Sequence, residues 1–113
     1  MSDAEPSRRE VILSVELIRV PTEEEVEAVC SAAEEAGRQF IVKKLPLKTL
    51  EDMEITVEAV GDKPLMLRIE IALDTGEDNP ALAEIAENAT DTAVAAADVK
   101  IRELCLCGPS KDC

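Results

Sequence analysis

The chain has 113 residues, of which 46% are hydrophobic, and its 25 acidic and 12 basic residues give a net charge of −13. This length and composition predict a single folded domain. So strong an acidic balance argues against direct nucleic-acid binding, because phosphates would be repelled. Phe40 is the only aromatic residue and histidine is absent. Nucleic-acid bases therefore have no set of aromatic side chains on which to stack. Without histidine, the chain lacks the most common residue for acid–base catalysis. We also expect no cofactor.

Apolar runs in the sequence are short. Residues 11–13, for example, are far fewer than the ~20 that cross a membrane. The start of the sequence also lacks the apolar core of a signal peptide. We therefore expect a cytoplasmic protein with no membrane association.

The first part of the chain predicts a strand followed by a helix. Residues 1–9 are polar and are expected to form a flexible arm. Apolar residues then alternate with others over about 10–20, with the period of a half-buried strand. Thr22 and Glu25 have the spacing of a capping box, and a three- to four-residue apolar period follows up to Lys44. This pattern predicts an amphipathic helix.

The middle of the chain predicts an antiparallel hairpin. Two alternating runs, 54–59 and 65–73, are joined by the Gly- and Pro-containing turn 61–64. The two apolar sets must share one face, because a slip of one residue would bury Glu58 or Arg68. We expect the opposite face of the sheet to meet water.

The last part predicts a second helix. Asn79 and Pro80 are residue types that start helices, and an apolar helical period then runs to about Cys105. A strand over 99–106 is the alternative for its end. Residues 107–113 are expected to form a cysteine-containing tail.

The predicted order is therefore β-α-β-β-α over a single α+β domain, residues 10–106. Three strands with one apolar face need two helices to cover that face. We expect a two-layer fold, with a three-stranded antiparallel sheet covered on one face by two helices.

The string Asp74-Thr75-Gly76 is similar to the catalytic loop of retroviral-type aspartic proteases, in which each subunit of a dimer supplies one carboxylate. That fold consists almost entirely of strands, whereas an alanine-rich helix is predicted directly after this loop. We interpret the string as a strand-to-helix turn and expect no enzymatic activity.

Three cysteines, Cys105, Cys107 and Cys113, lie close together near the end of the sequence, and Cys30 lies on the core face of the first predicted helix. Three thiolates can bind a soft cation such as zinc or copper(I), although no histidine is available to complete a structural zinc site. Free thiols are the simpler interpretation, and a thiol-based metal site is an alternative.

Two predicted elements are candidates for a partner interface. The first strand, if it lies at a sheet edge, offers unpaired backbone groups to another chain. The alanines of the second helix permit close helix approach, although high helix propensity alone also explains them. The candidate interface residues are Val11, Leu13, Val15 and Leu17 on the strand and Ala89, Ala93, Val94 and Ala97 on the helix.

Five segments together resemble a small archaeal family. They are the first strand, the helix start at 21–25, LKTLEDMEITVEA (47–59), LMLRIEIAL (65–73) and KIREL (100–104). That family was long catalogued as a domain of unknown function, and its members are associated with the prefoldin beta subunit gene. It is also linked, as a paralogue of the Pcc-type subunit, to the archaeal KEOPS complex. The resemblance covers about residues 9–105.

The resemblance implies a non-catalytic accessory or dimerisation subunit. KEOPS installs threonylcarbamoyl on adenosine of tRNA, with catalysis in a separate kinase-like subunit that Pcc-type subunits bind through their helices. The implied state is a dimer, with a Pcc-type subunit or with a second copy of this chain. The alternatives are a stand-alone, chaperone-associated homodimer and a thiol-based metal-binding protein.

Overall fold

A computed structural model describes residues 7–45, 50–61, 64–75 and 80–104. Their elements are β1 (Ser7–Val15), α1 (Glu23–Lys44), β2 (Asp52–Gly61), β3 (Leu65–Asp74) and α2 (Ala81–Glu103). This order confirms the predicted β-α-β-β-α arrangement and the α+β class.

The three strands form one antiparallel sheet in the order β1-β3-β2, so β3 is central and β1 and β2 are both edges. In the register, Ile69 of β3 lies opposite Val11 on one side and Val57 on the other. Every second residue of β3, from Leu65 to Leu73, is buried. The alternation expected of a sheet with one covered face is therefore present.

The two helices cover that face. α1 packs on β2, α2 packs on β1 and β3, and the helices pack against each other. A large part of the core lies between the layers, with Val29, Ala33 and Ile41 from α1 meeting β3 and the small residues of α2. Gly37 lets the helices and the sheet approach closely, since a Cβ there would lie 3.4 Å from Ile71 Cδ1 and 3.7 Å from Ala93 Cβ.

The limits of β1 differ from those predicted. The strand begins at Ser7 rather than at about 10, because β3 is long enough to pair Ser7 with Leu73. Residues 7–9 therefore belong to the strand and not to the predicted arm. The strand ends at Val15 rather than at about 20, because Val15 pairs with Leu65, the first residue of β3. The rest of the arm, residues 1–6, lies outside the described residues.

The other elements begin and end close to their predicted positions. Thr22 caps α1 with the complete capping box, and the helix ends at Lys44 as predicted. Gly61 ends β2 with φ of 81°, a conformation that favours glycine at this turn. The second helix begins at Ala81 and remains helical to Glu103, so the alternative of a strand from 99 onward is wrong. The predicted cap Asn79 and the predicted end Cys105 lie outside the described residues.

Candidate protein interface at the edge of the sheet

The outer edge of β1 is one of the two edges of the sheet that the described residues leave without a neighbouring strand. Only one side of β1 is paired, with β3, so half of its backbone groups point away from the sheet. From residue 11 to residue 15 the strand carries no charged side chain. Ile12 lies on the face away from the helices and is 59% exposed, whereas Leu13 and Val15 lie on the helix side and are half-buried. This segment can accept another strand.

A groove of about 490 Å³ runs beside this edge, between β1 and α2. Apolar side chains from three elements form its surface, namely Leu13, Val15, Leu67, Val94 and Ile101. Its charged lining residues are all acidic: Glu16, which follows the last residue of β1, and Asp91 and Asp98 of α2. The groove therefore combines an apolar surface with a negative potential.

A second, smaller groove of about 280 Å³ continues along the same strand toward its start. Asp91 lines both grooves, so the two are adjacent. Here the lining includes Arg8 and Arg9, and Arg9 forms an ion pair of 3.3 Å with Glu87 of α2. Charges of both signs therefore line the start of the β1 edge, where Glu10, Glu87 and Asp91 accompany the two arginines, whereas the charges at its other end are all acidic.

The structure brings together four of the eight predicted interface residues. Val11, Leu13, Val15 and Val94 are half-buried and pack at the margin of the core, and the last three line the larger groove. Leu17 is not part of this surface, because the chain turns inward after β1 and buries it to 6% exposure.

The prediction that Ala89, Ala93 and Ala97 belong to a partner interface is wrong. All three are at most 1% exposed and pack inside the chain. Their small size serves the contact between the two helices, where Gly37 of α1 lies within van der Waals reach of Ala93. The groove side of α2 is formed instead by Asp91, Val94, Ala95 and Asp98.

The other face of the sheet meets solvent, as predicted, and carries a charge cluster that spans all three strands. Arg68 of β3 donates hydrogen bonds to Glu10 of β1 (2.6 Å), Glu58 of β2 (2.9 Å) and Glu70 (3.1 Å). These bonds, chiefly the ones to Glu10 and Glu58, raise the pKa of Arg68 above its ordinary value. The hairpin pattern places Glu58 opposite Arg68, but the contribution of Glu10 depends on the long-range pairing of β1.

A second ionic contact, which the sequence pattern did not reveal, joins the loop after β1 to both helices. Arg19 forms two hydrogen bonds with Glu25, of 2.8 and 2.7 Å, and a third of 3.0 Å with the Leu104 carbonyl oxygen. The hydrogen bond from Arg19, followed by that from the Thr22 backbone, lowers the pKa of Glu25 to about 2. The start of α1 and the end of α2 are therefore tied together.

The candidate chemical groups show no assembled site in the part of the chain that the structure describes. Cys105, Cys107 and Cys113 lie outside it, and within it no three His, Cys, Asp or Glu residues are placed to hold a metal ion. Burial, followed by the nearby carboxylates, raises the pKa of the Cys30 thiol, which makes it a poor nucleophile. Asp74 ends β3 and α2 begins at Ala81, consistent with a strand-to-helix connection.

Across the described segments, neither helix is long and apolar enough to cross a membrane.

Comparisons with known proteins give one family and one fold neighbour. A crystal structure from Thermococcus onnurineus NA1 superposes with a TM-score of 0.67 over 87% of this chain and 95% of that one, at 20% sequence identity. At this identity the similarity concerns the fold alone. No curated protein matches the sequence. Residues 18–100 match the profile of a family described as "Protein of unknown function (DUF3194)", and the chain belongs to that family.

Proposed function

We propose that this chain is a non-catalytic accessory subunit that acts by pairing with another protein chain through the edge of β1 and the groove beside α2. The resemblance of its sequence to the archaeal family linked to KEOPS supports this complex as its setting, in the cytoplasm. The proposed partner is a Pcc-type subunit, and the proposed process is the formation of threonylcarbamoyladenosine in tRNA.

The observation that carries the proposal is the uncharged, open edge of β1. Soluble proteins normally protect an edge strand with charges, proline or a covering element, because an open edge pairs with other chains. Residues 11–15 contain no charge and no proline, and no further strand pairs with them among residues 7–45, 50–61, 64–75 and 80–104. The adjacent groove supplies an apolar surface for the partner's side chains. Such an edge, placed next to a groove, suits the addition of a strand from another chain.

Charge supports an accessory role without nucleic-acid contact. With a net charge of −13, the chain repels phosphate backbones and favours a partner that is less acidic. Contact with tRNA is accordingly assigned to other subunits. Catalysis is also assigned elsewhere, because the family resemblance implies that it lies in the separate kinase-like subunit of KEOPS.

The test measures binding of a Pcc-type subunit from the same source by calorimetry, for the unaltered chain and two lysine variants. Ile12→Lys places a charge on the β1 edge, and Val60→Lys is the matched control on β2, where the side chain is 66% exposed. We expect Ile12→Lys to weaken binding by at least about tenfold, because lysine at an edge strand opposes pairing. Val60→Lys should leave binding within about twofold.

Circular dichroism of both variants controls for folding. The proposal is contradicted if the unaltered chain fails to bind the Pcc-type subunit at every salt concentration. Equal effects of the two lysine variants would show that the partner does not use the β1 edge.

A further inference from the structure

We propose that the β1 edge selects its partner by charge as well as by strand pairing: the segment that pairs with residues 11–15 carries a lysine or arginine that faces α2 and pairs with Asp91. This inference rests on the proposed function, because it concerns the same edge. It adds the chemistry of the segment that the edge accepts, which is an extended stretch with a basic side chain on its helix side.

The side of α2 that faces the larger groove has an acidic residue at each end and apolar residues between them. Asp91, Val94, Ala95 and Asp98 have the three- and four-residue spacing of one helix side, and all four line the groove. At ~1.5 Å of rise per residue, Asp91 and Asp98 lie ~10 Å apart along the helix axis. Val94 and Ala95 therefore form an apolar floor between two carboxylates.

The two carboxylates differ in what already neutralises them. Asp98 forms an ion pair of 3.2 Å with Arg102. The side chain of Asp91 is exposed and has no ion pair or hydrogen bond with any residue that the structure describes. Arg9 lines the smaller groove together with Asp91, but it pairs with Glu87 at 3.3 Å. Asp91 is therefore the carboxylate of α2 at which a partner's cation gains a new ion pair.

A strand added at β1 directs half of its side chains toward this floor. Neighbouring strands lie about 4.8 Å apart and their side chains alternate between the two faces, so every second residue of the added strand points to the helix side. Leu13 and Val15 of β1 point to that side and line the groove. A residue beside them on the added strand extends over the part of α2 that lies between its two groove carboxylates.

A lysine or arginine fits this position better than an apolar or an acidic side chain. Its methylene stem can lie on the apolar floor while its charged head reaches the Asp91 carboxylate. An apolar side chain would cover the floor but would take Asp91 out of water without a partner, which costs free energy. An acidic side chain would be repelled, because the charged lining residues of the groove (Glu16, Asp91 and Asp98) are all acidic.

Short peptides that alternate threonine and valine test this selection on the full chain. The central valine is replaced by lysine, by acetyl-lysine or by glutamate. Acetyl-lysine keeps the stem of lysine and removes its charge, so the comparison of these two peptides isolates the ion pair. NMR titration of the isotope-labelled chain gives the dissociation constant of each peptide, and shifts of the amides of residues 11–15 identify binding at the β1 edge.

We expect the lysine peptide to bind this edge about fivefold more tightly than the acetyl-lysine peptide, which is the upper end of the range for an exposed ion pair. The glutamate peptide should bind more weakly than either. In Asp91→Asn, which removes the charge and keeps the shape, the preference for lysine over acetyl-lysine should fall to within about twofold.

Glu54→Gln is the matched control for Asp91→Asn. Glu54 is an exposed residue of β2, and both substitutions reduce the negative charge of the chain equally. If the lysine peptide is attracted only by the net charge of −13, the two variants have the same effect. In the proposed arrangement, Glu54→Gln keeps the preference for lysine and Asp91→Asn loses it.

Asp91→Lys extends the test to the Pcc-type subunit, with binding measured by calorimetry. The variant brings two cations together at the groove, so we expect binding to weaken by at least about tenfold. Glu54→Lys changes the net charge by the same amount on β2 and should not weaken binding.

Equal binding of the lysine and acetyl-lysine peptides overturns the inference. So does a lysine preference that survives Asp91→Asn, or a failure of every peptide to shift the amides of residues 11–15. The proposed function fails separately, when the Pcc-type subunit does not bind the unaltered chain, and the peptides then still decide whether the edge selects a basic strand. If that subunit binds and Asp91→Lys leaves its affinity unchanged, only the basic side chain is rejected.

Discussion

The two edges of the sheet differ in how they are protected. Along β2, the acidic side chains of Asp52, Glu54 and Glu58 recur at intervals on the solvent face. In β1, residues 11–15 carry no charge, and the groove next to them is apolar. Because charges on an edge strand oppose pairing, the uncharged stretch 11–15 of β1 is the part of the two edges at which the proposed partner would pair.

The helix next to each edge shows a parallel difference. α1, which packs on β2, begins with a complete capping box and is held by the Arg19–Glu25 pair. α2, which packs on β1, begins at Ala81, and the side chain of its N-cap residue Pro80 forms no hydrogen bond. Arg19 and the capping box therefore fix the start of α1, whereas α2 is held at its end, where Arg19 contacts the Leu104 carbonyl oxygen, and along its buried alanine stripe.

The largest predicted effect is on the buried side of α2, and its control lies on the side of α2 that faces the groove. Ala93→Arg forces a charge into a fully buried position between the helices. We expect a loss of more than about 3 kcal/mol in the free energy of unfolding, measured by urea denaturation.

Ala95→Arg is its control, two residues away on the exposed groove side. We expect a change within about 0.5 kcal/mol in stability, because the arginine extends into solvent. A small effect of Ala93→Arg would mean that the alanine stripe is accessible at the surface of the chain and is not buried between the helices.

The alanine stripe also shows where sequence reasoning reached its limit. The helical period correctly grouped Ala89, Ala93 and Ala97 on one face, because that period depends only on local geometry. It could not tell whether the face meets a partner or the chain's own α1, since small residues suit both. The close approach at Gly37 decides this, and that approach is a tertiary property.

Elements with strong local signals were predicted well. The capping residues Thr22 and Glu25 and the glycine turn at Gly61 carry their own stereochemistry, and the structure reproduces both. The limits of β1 were missed because its length is set by pairing with β3, whose residues lie fifty or more positions further along the chain. For the same reason, the contact of Glu10 with Arg68 could not be inferred from β1 alone.

The next effect tests the cap of α1. Thr22 accepts a hydrogen bond of 3.1 Å from the Glu25 backbone amide, so Thr22→Ala leaves that donor without its partner. We expect a loss of about 1 kcal/mol in thermal or urea unfolding. Thr92→Ala in α2 is the matched control, because the Thr92 hydroxyl donates its hydrogen bond to the Asn88 carbonyl oxygen of the same helix and caps no helix end. It should change stability by less than about 0.5 kcal/mol.

Gly37→Ala tests the contact between α1 and α2. The added Cβ would lie 3.4 Å from Ile71 Cδ1, 3.7 Å from the Ala89 carbonyl oxygen and 3.7 Å from Ala93 Cβ, which is van der Waals contact without overlap. Alanine also has the higher helix propensity. We expect a gain of about 0.5 kcal/mol in urea unfolding. Gly37→Leu, which overfills the same space, should be destabilising, and a loss in both variants would mean that the helices lie closer together than the structure shows.

The smallest effect concerns the pH dependence of the link between Arg19 and Glu25. Folding lowers the pKa of Glu25 from 4.5 to about 2. The contribution of the ionised Glu25 carboxylate to the free energy of unfolding is therefore present above pH 4.5 and is lost as the pH falls toward 2. The effect is small because Arg19 is 42% exposed and solvent screens the pair. In Glu25→Gln, which can retain the capping geometry, unfolding measured across this range should show a stability difference from the unaltered chain that shrinks at low pH. A difference independent of pH would show that the carboxylate charge contributes nothing and that α1 is held by its cap alone.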